Sequence, residues 1–536
     1  MSLSKPIARA TVFAQIALGL AIAAFLLLKL YALRPTLTDE GVWFYSALLV
    51  ARGAVPYRDF FCAHPPLHAA IDAIAFLVHG GFDLAAGRAL PALSGAVQVA
   101  CVYAVVRKIA AATSPWIREA SALAGALVLL LSLSFLLTTT FDTGVAQASA
   151  LATLAALLAL HGRKASAGIA LGAAVTTALP VVPVAIAIAG GTALAGEGAR
   201  DRCRRWDAAI AFALTVTGVH AATLALAGHD FVAQVYGFPL AKVPSEGDAA
   251  GAYAIVGDSW WLVVGALVGT LALVSEGGRA LRWLQWFGAA ALCHVVATSL
   301  QARVFYYYGH PLLAPAAVLA GCGIASVANG LAARGSAAIG ERALGRATLA
   351  AIAAVVSLVL LVHRDVADAA PRAWSDAPVL GASRNAIVRA LLWREVPGPG
   401  DGAVTRYLRR VATIFPFHGA MVEAVRREQA RHPGTTIFGD SLATPLVALD
   451  AHVPITGNVV DTNVQRFEAD PTLLPQVIQL LEATPDAIVI ASDRVGLGAL
   501  PAFESYLRER YEPIARFRGE GAPGDYALYR RHADER

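Results

Sequence analysis

Stretches of nearly unbroken apolar residues, each close to the roughly 20 needed to cross a bilayer as a helix, recur through the first two-thirds of this chain. They stop near residue 363. Only 15% of the residues are charged, against about a quarter in ordinary soluble proteins. The pattern predicts a polytopic α-helical membrane protein followed by a polar tail.

About eleven transmembrane helices are expected, near residues 8–31, 89–107, 119–138, 143–160, 165–179, 181–198, 208–227, 259–275, 285–301, 311–330 and 347–363. The first run is too long for a signal-peptide core, and no small-residue cleavage site follows it, so it reads as a retained span. Basic residues test the threading: Arg107, Lys108 and Arg118, then Arg163 and Lys164, Arg200 to Arg205, Arg279 and Arg282, and Arg334 to Arg346 all fall on one side. Within 165–198 both flanking loops are basic, which requires an even number of crossings, and Pro180 and Pro183 mark the expected break.

This places the N-terminus in the cytoplasm and divides the chain into a membrane domain, 1–364, with a long first outer loop at 32–88, and an extracytoplasmic tail, 365–536. The tail alternates short apolar strands ("TTIFGD" at 435–440, "DAIVIAS" at 486–492, "YALYRR" at 526–531) with helices near 472–483 and 501–511, as a small α/β domain does. "VGLG" at 495–498 reads as a plain turn.

Several function classes drop out. The net charge of +5 comes from arginines in short loops, a topology signal, so no nucleic-acid partner is expected. The five cysteines lack any CxxC or Cys/His spacing, so neither a disulfide framework nor a metal site is indicated. No inverted repeat is visible and the midplane stretches are nearly free of Asp, Glu and Lys, which disfavours the main alternative, a transporter or lipid flippase. A non-catalytic subunit of the same fold is the third reading.

The polar residues gather in the outer loops. "TLTDEGVWFYSALLVARG" sets Asp39 and Glu40 side by side just past the first span; the bland reading of this stretch is a helix cap, Thr38 or Asp39. Asp142, in "TTTFDTG" between the third and fourth spans, is costly so close to hydrocarbon and is either a cap or a functional acid. "PYRDFFCAHPPL" adds Arg58 and His64, with Phe60 and Phe61 as interface anchors and Pro65 and Pro66 expected to break the helix and fix His64. "QARVFYYYGHPLLAP" adds Arg303, Tyr307, Tyr308 and His310, its tyrosine run being either an aromatic belt at the interface or part of a binding set. Carboxylates in one set of loops and phosphate-friendly donors in others describe a group transfer from a lipid phosphate.

"TDEGVWFYSALLVARGAVPYRDFFCAHPPLHA" resembles the first outer loop of bacterial polyprenyl-phosphate-sugar glycosyltransferases of the GT-C superfamily, with protein O-mannosyltransferases and the lipid A aminoarabinose transferase. "RVFYYYGHPLLAPAAVLAG" is similar to a later segment of that family. The resemblance implies a GT-C-like, inverting glycosyltransferase of the bacterial inner membrane that uses a lipid-linked sugar as substrate and no cofactor. It implies Asp39 as catalytic base, Glu40 as its neighbour, and Asp142 as the second acid. Arg58, His64, Arg303, Tyr307, Tyr308 and His310 would bind the donor phosphate. The implied partners are the polyprenyl-phosphate sugar, the bilayer and an acceptor glycan, lipid or protein. Ala63 and His64 precede Pro65 where the mannosyl and aminoarabinose branches tend to carry an acidic and a basic residue, so the sugar is not implied.

Overall fold

The computed structural model describes residues 5–194, 206–242, 265–271, 284–299, 305–335, 415–519 and 524–532, with single positions at 262, 404, 407, 408 and 411. The expected domain boundary at 364, the last expected span and Arg303 lie outside the described residues.

In chain order the helices are α1 (Lys5–Leu30), α2 (Glu40–Ala51), α3 (Pro66–His79), α4 (Leu84–Ile109), α5 (Pro115–Leu130), α6 (Leu133–Thr138), α7 (Val145–Leu160), α8 (Lys164–Thr177), α9 (Val182–Leu194), α10 (Asp207–Ala227), α11 (Ala289–Ser299) and α12 (Leu313–Gly335). The later segment adds α13 (His418–Arg431), α14 (Thr444–Ala451), α15 (Val464–Ala469), α16 (Leu473–Glu482) and α17 (Pro501–Arg510). Its strands are β1 (Ile437–Gly439), β2 (Ile488–Ser492), β3 (Tyr511–Phe517) and β4 (Tyr526–Arg531).

These elements form two compact units. The first comprises Met1–Ala32, Ala89–Val219 and Gly247–Arg409. Among the described residues four helices are long and apolar enough to cross a membrane: Arg9–Leu30, Leu84–Ala112, Asp207–Ala227 and Tyr307–Gly330. Other expected spans fall on shorter apolar helices such as α7. The stretch from 165 breaks as its prolines predict: Ala178 leaves the helix at φ −151°, a 3₁₀ turn spans Leu179–Val181, and α9 follows. On α1, Val12, Phe13, Ile16, Leu20 and Leu27 are exposed aliphatic and aromatic side chains, a face suited to lipid.

One buried knot ties this unit together near the expected cytoplasmic side. Glu119 of α5 accepts from Arg107 Nε at 2.8 Å, Tyr103 Oη at 2.5 Å and Thr11 Oγ1 at 3.0 Å. The three donors come from α4 and α1, so one carboxylate joins three helices, its charge satisfied as burial requires.

The second unit comprises Leu33–Arg88, His220–Glu246 and Arg410–Arg536, so the first outer loop packs with the C-terminal segment. The sheet order is β1-β2-β4-β3, with β1 and β2 parallel and the other pairs antiparallel. β2 is buried along its whole length, which is why its sequence runs apolar instead of alternating. β3, which the sequence did not announce, carries Pro513 and occupies an edge, where a missing N–H costs least. The "VGLG" turn is tighter than a plain turn demands: Gly496 has φ +65°, and a Cβ there would meet Asp440 Oδ2 at 1.8 Å.

α2 lies directly on α14. A Cβ on Gly41 would come within 2.9 Å of Leu446 N, and Tyr45 Oη accepts a hydrogen bond from Ile455 N at 2.8 Å. Only a glycine at this position allows the two helices to approach so closely.

Candidate active site

Asp39 starts α2 with its backbone: its carbonyl accepts from Val42 N at 2.9 Å, while its side chain makes no capping hydrogen bond. The carboxyl is therefore not consumed by the helix, and capping is set aside for Asp39; the Thr38 hydroxyl is the side chain that accepts there, from Glu40 N at 3.4 Å. Burial pushes it up from an ordinary 3.8 to about 7, with Asp461 and Asp440 adding repulsion and Lys242 opposing it.

Glu40 is turned elsewhere. Arg88 Nη2 donates to its Oε2 at 2.6 Å and Arg88 Nε to its Oε1 at 3.0 Å, with both side chains buried. Arg88 also donates to Arg34 O at 2.7 Å and Thr36 Oγ1 at 3.1 Å. The adjacent carboxylates are thus held differently: Glu40 is paired with Arg88, and the Asp39 side chain makes no capping bond.

The "PYRDFF" loop is held by Gln234. Its Nε2 donates to Tyr57 O at 2.8 Å and its Oε1 accepts from Cys62 N at 2.9 Å. Tyr57 adopts φ +72°, and its Oη donates to His64 O at 2.7 Å. Arg58 faces solvent and pairs with Asp59 at 2.8 Å, which holds that carboxyl down at about 2. His64 stacks on Trp43 with ring centres 3.9 Å apart. Pro65 and Pro66 begin a helix where a break was expected: Pro65 is the cap of α3 and Pro66 its first residue, the position proline fits best. Phe60 is buried and Phe61 lies under the Arg466 guanidinium at 3.8 Å, so both pack within the protein and are not interface anchors.

In the other unit Asp142 is fully buried and accepts from Gln147 Nε2 at 2.7 Å. Gly144, not Asp142, is the cap of α7. His310 is buried, donates through Nε2 to Gln98 Oε1 at 3.1 Å, and stacks on Phe135. Tyr307 and Tyr308 meet edge to face at 5.1 Å, and Tyr308 O accepts from His294 at 2.7 Å.

Sequence reasoning missed Lys29. It reads as a flanking charge, yet the side chain is buried, donating to Leu136 O at 2.5 Å and Thr140 Oγ1 at 2.7 Å. The rings of Phe25 and Tyr407 lie 4.7 and 4.8 Å from its ammonium. A lysine closing an apolar run before a Tyr is the signal, one shared with ordinary interfacial anchors. Asp440 and Asp461 were also missed; Asp440 follows directly on the apolar β1, at the carboxyl end of a parallel strand where α/β sheets place ligand-facing residues.

No protein-family model and no curated protein sequence matches the chain. Solved structures do. ArnT from Cupriavidus metallidurans in the apo state superposes with a TM-score of 0.60 at 16% identity, over 96% of this chain and 98% of that one. The same protein bound to undecaprenyl phosphate gives 0.58 at 16% identity, over 95% and 97%. The fold implied by the sequence resemblance is the fold the chain adopts.

Proposed function

We propose that this chain is an inverting glycosyltransferase that moves a sugar from a polyprenyl phosphate to a hydroxyl acceptor on the outer face of a bacterial inner membrane. The observation that carries the reading is Asp39, a carboxyl that starts a helix without capping it and is held near neutral proton affinity. The likeness of the whole fold to an ArnT that binds undecaprenyl phosphate supports the donor class.

In the reaction the acceptor oxygen attacks the anomeric carbon as the bond from that carbon to the phosphate oxygen breaks. Asp39 takes the acceptor's proton, a role worth 10²–10⁴-fold for a well-placed base, roughly. The polyprenyl phosphate leaves as a stable anion and needs positive charge but no proton. Lys29, Arg58, His64, Arg303 and His310 are the proposed sources of that charge and of hydrogen bonds, Tyr307 and Tyr308 are proposed as further donors, and Asp142 as second acid. Glu40 acts through Arg88, as the brace of the loop that carries Asp39.

The test is native mass spectrometry of lipid co-purifying with Asp39→Asn and with wild type, alongside a transfer assay using the lipid recovered. The mutant should retain a polyprenyl phosphate sugar and fail to discharge it. Absence of any polyprenyl lipid from both proteins would overturn the donor class, and wild-type turnover in the mutant would overturn the base.

A further inference from the structure

Three segments of the second unit converge on Asp39. The first turn of α14 lies against Gly41, where an added Cβ would come within 2.9 Å of Leu446 N, and the loop leading into that turn begins at Asp440, whose carbonyl accepts from Ala443 N and Thr444 N. The next loop is fastened beside it, because Thr462 Oγ1 donates to Gly439 O at 2.6 Å, and this brings Asp461 alongside Asp440. Lys242, which follows the helical stretch 230–241, is a cation whose field reaches Asp39.

Asp440 is fully buried. Its Oδ1 accepts from Leu442 N at 2.8 Å, while its Oδ2 has no hydrogen-bond partner among the described residues. A buried carboxylate oxygen left unsatisfied is expensive and calls for a reason. Asp461 is buried too, its Oδ1 accepting from Asn463 N at 3.0 Å and its carbonyl accepting from Arg466 Nη1 at 2.7 Å. The Arg466 charge is directed to that carbonyl and the Phe61 ring, and the Arg88 charge is matched by Glu40. Asp39 therefore faces two acids and one lysine.

We propose that Asp440 and Asp461 are positioning residues for Asp39, carboxylates supplied by the C-terminal segment that set how tightly the base holds its proton, with Lys242 acting in the opposite sense. The inference rests on the reading of Asp39 as the base. Burial supplies the largest part of the rise in Asp39's proton affinity, and these two acids add to it, bringing the carboxyl to a value matched to proton transfer near neutrality. The C-terminal segment thereby takes part in catalysis without touching the reacting atoms.

The experiment is a proton titration of Asp39 in the intact protein in detergent. Protonated carboxyls are coupled by a water-soluble carbodiimide to glycine ethyl ester across a pH series, and the extent at Asp39 is read by peptide mass spectrometry. Wild type should show a midpoint near 7. Asp461→Asn and Asp440→Asn should weaken proton affinity by about tenfold, and Lys242→Met should strengthen it. A midpoint that stays put in Asp461→Asn and in Lys242→Met, with melting temperatures unchanged, overturns the proposal. Should Asp440→Asn fail to fold, the other two variants still decide, because their shifts are opposite in sign. No sugar donor is used, so this outcome is separate from the fate of the transferase reading, which the Asp39→Asn assay decides.

Discussion

Arg88 and Glu40 close a buried, two-pronged ion pair, Nη2 to Oε2 at 2.6 Å and Nε to Oε1 at 3.0 Å, across most of the segment 32–88. The guanidinium reaches the carbonyl of Arg34 as well, so the two ends of the loop are fastened to each other. Removing one partner leaves an uncompensated buried charge, which typically costs about 3–5 kcal/mol. Glu40→Ala should therefore lower the melting temperature steeply, while Glu40→Met with Arg88→Met should recover much of the loss. Melting of the two single variants and the double variant measures the coupling.

The proton affinity of Asp39 makes a pH prediction. Transfer should rise with a single-proton slope as pH passes through about 7, the acid limb of kcat/KM. Stability should run the other way. Asp39 is raised from 3.8 to about 7 and Asp440 to about 6, both chiefly by burial, so the folded chain holds these protons more tightly than the unfolded one. Their contribution is fully present below pH 3.8 and is lost as pH rises through 6 to 7. Melting temperature should fall from pH 5 to pH 8, and Asp440→Asn should flatten that fall.

At Gly41 steric crowding opposes helix propensity. Alanine is the better helix former by about 1 kcal/mol, but a Cβ at this site lies 2.9 Å from the backbone of Leu446, which cannot yield as a side chain would. Gly41→Ala should destabilise by about 1–3 kcal/mol. Gly19→Ala, where a Cβ meets nothing within 4 Å, is the control and should leave melting unchanged or raise it.

Lys29→Met replaces a buried ammonium with an apolar side chain of similar length. Leu136 O keeps a hydrogen bond from Thr140 Oγ1 at 2.7 Å, so little is orphaned and folding should be nearly unaffected. Binding of undecaprenyl phosphate, measured by native mass spectrometry titration, should weaken by more than about tenfold. Unchanged binding would remove Lys29 from the set of phosphate-holding residues.

Much of the architecture was legible because hydropathy and proline act locally. The break at Ala178, the helix beginning at Pro501, and β1, β2 and β4 follow from runs of a few residues. The partnership of Asp39 with Asp440 and Asp461 was not legible, because nothing in "IFGD" or "VVDTN" records what lies against it in space. The pair "DE" pointed to chemistry, but which carboxylate stays unpaired depends on Arg88, far along the chain. Lys29 was hidden by its own company: a cation at the end of an apolar run has the same sequence signature whether it anchors at a headgroup or is buried beneath Tyr407.

The hydrogen bond from Ile455 to Tyr45 joins residues 410 positions apart. On a ribosome adding roughly 5–20 residues per second, Tyr45 waits on the order of tens of seconds for its partner to be made. During that interval Asp39 is already synthesised but lacks both acids that hold its proton. Until residues 440–461 are made, Asp39 is neither buried nor beside them and titrates as an ordinary aspartate; its raised proton affinity comes only with that later segment. On the proposed reading of Asp39 as the base, the order of synthesis then keeps an unfinished chain from spending a lipid-linked sugar.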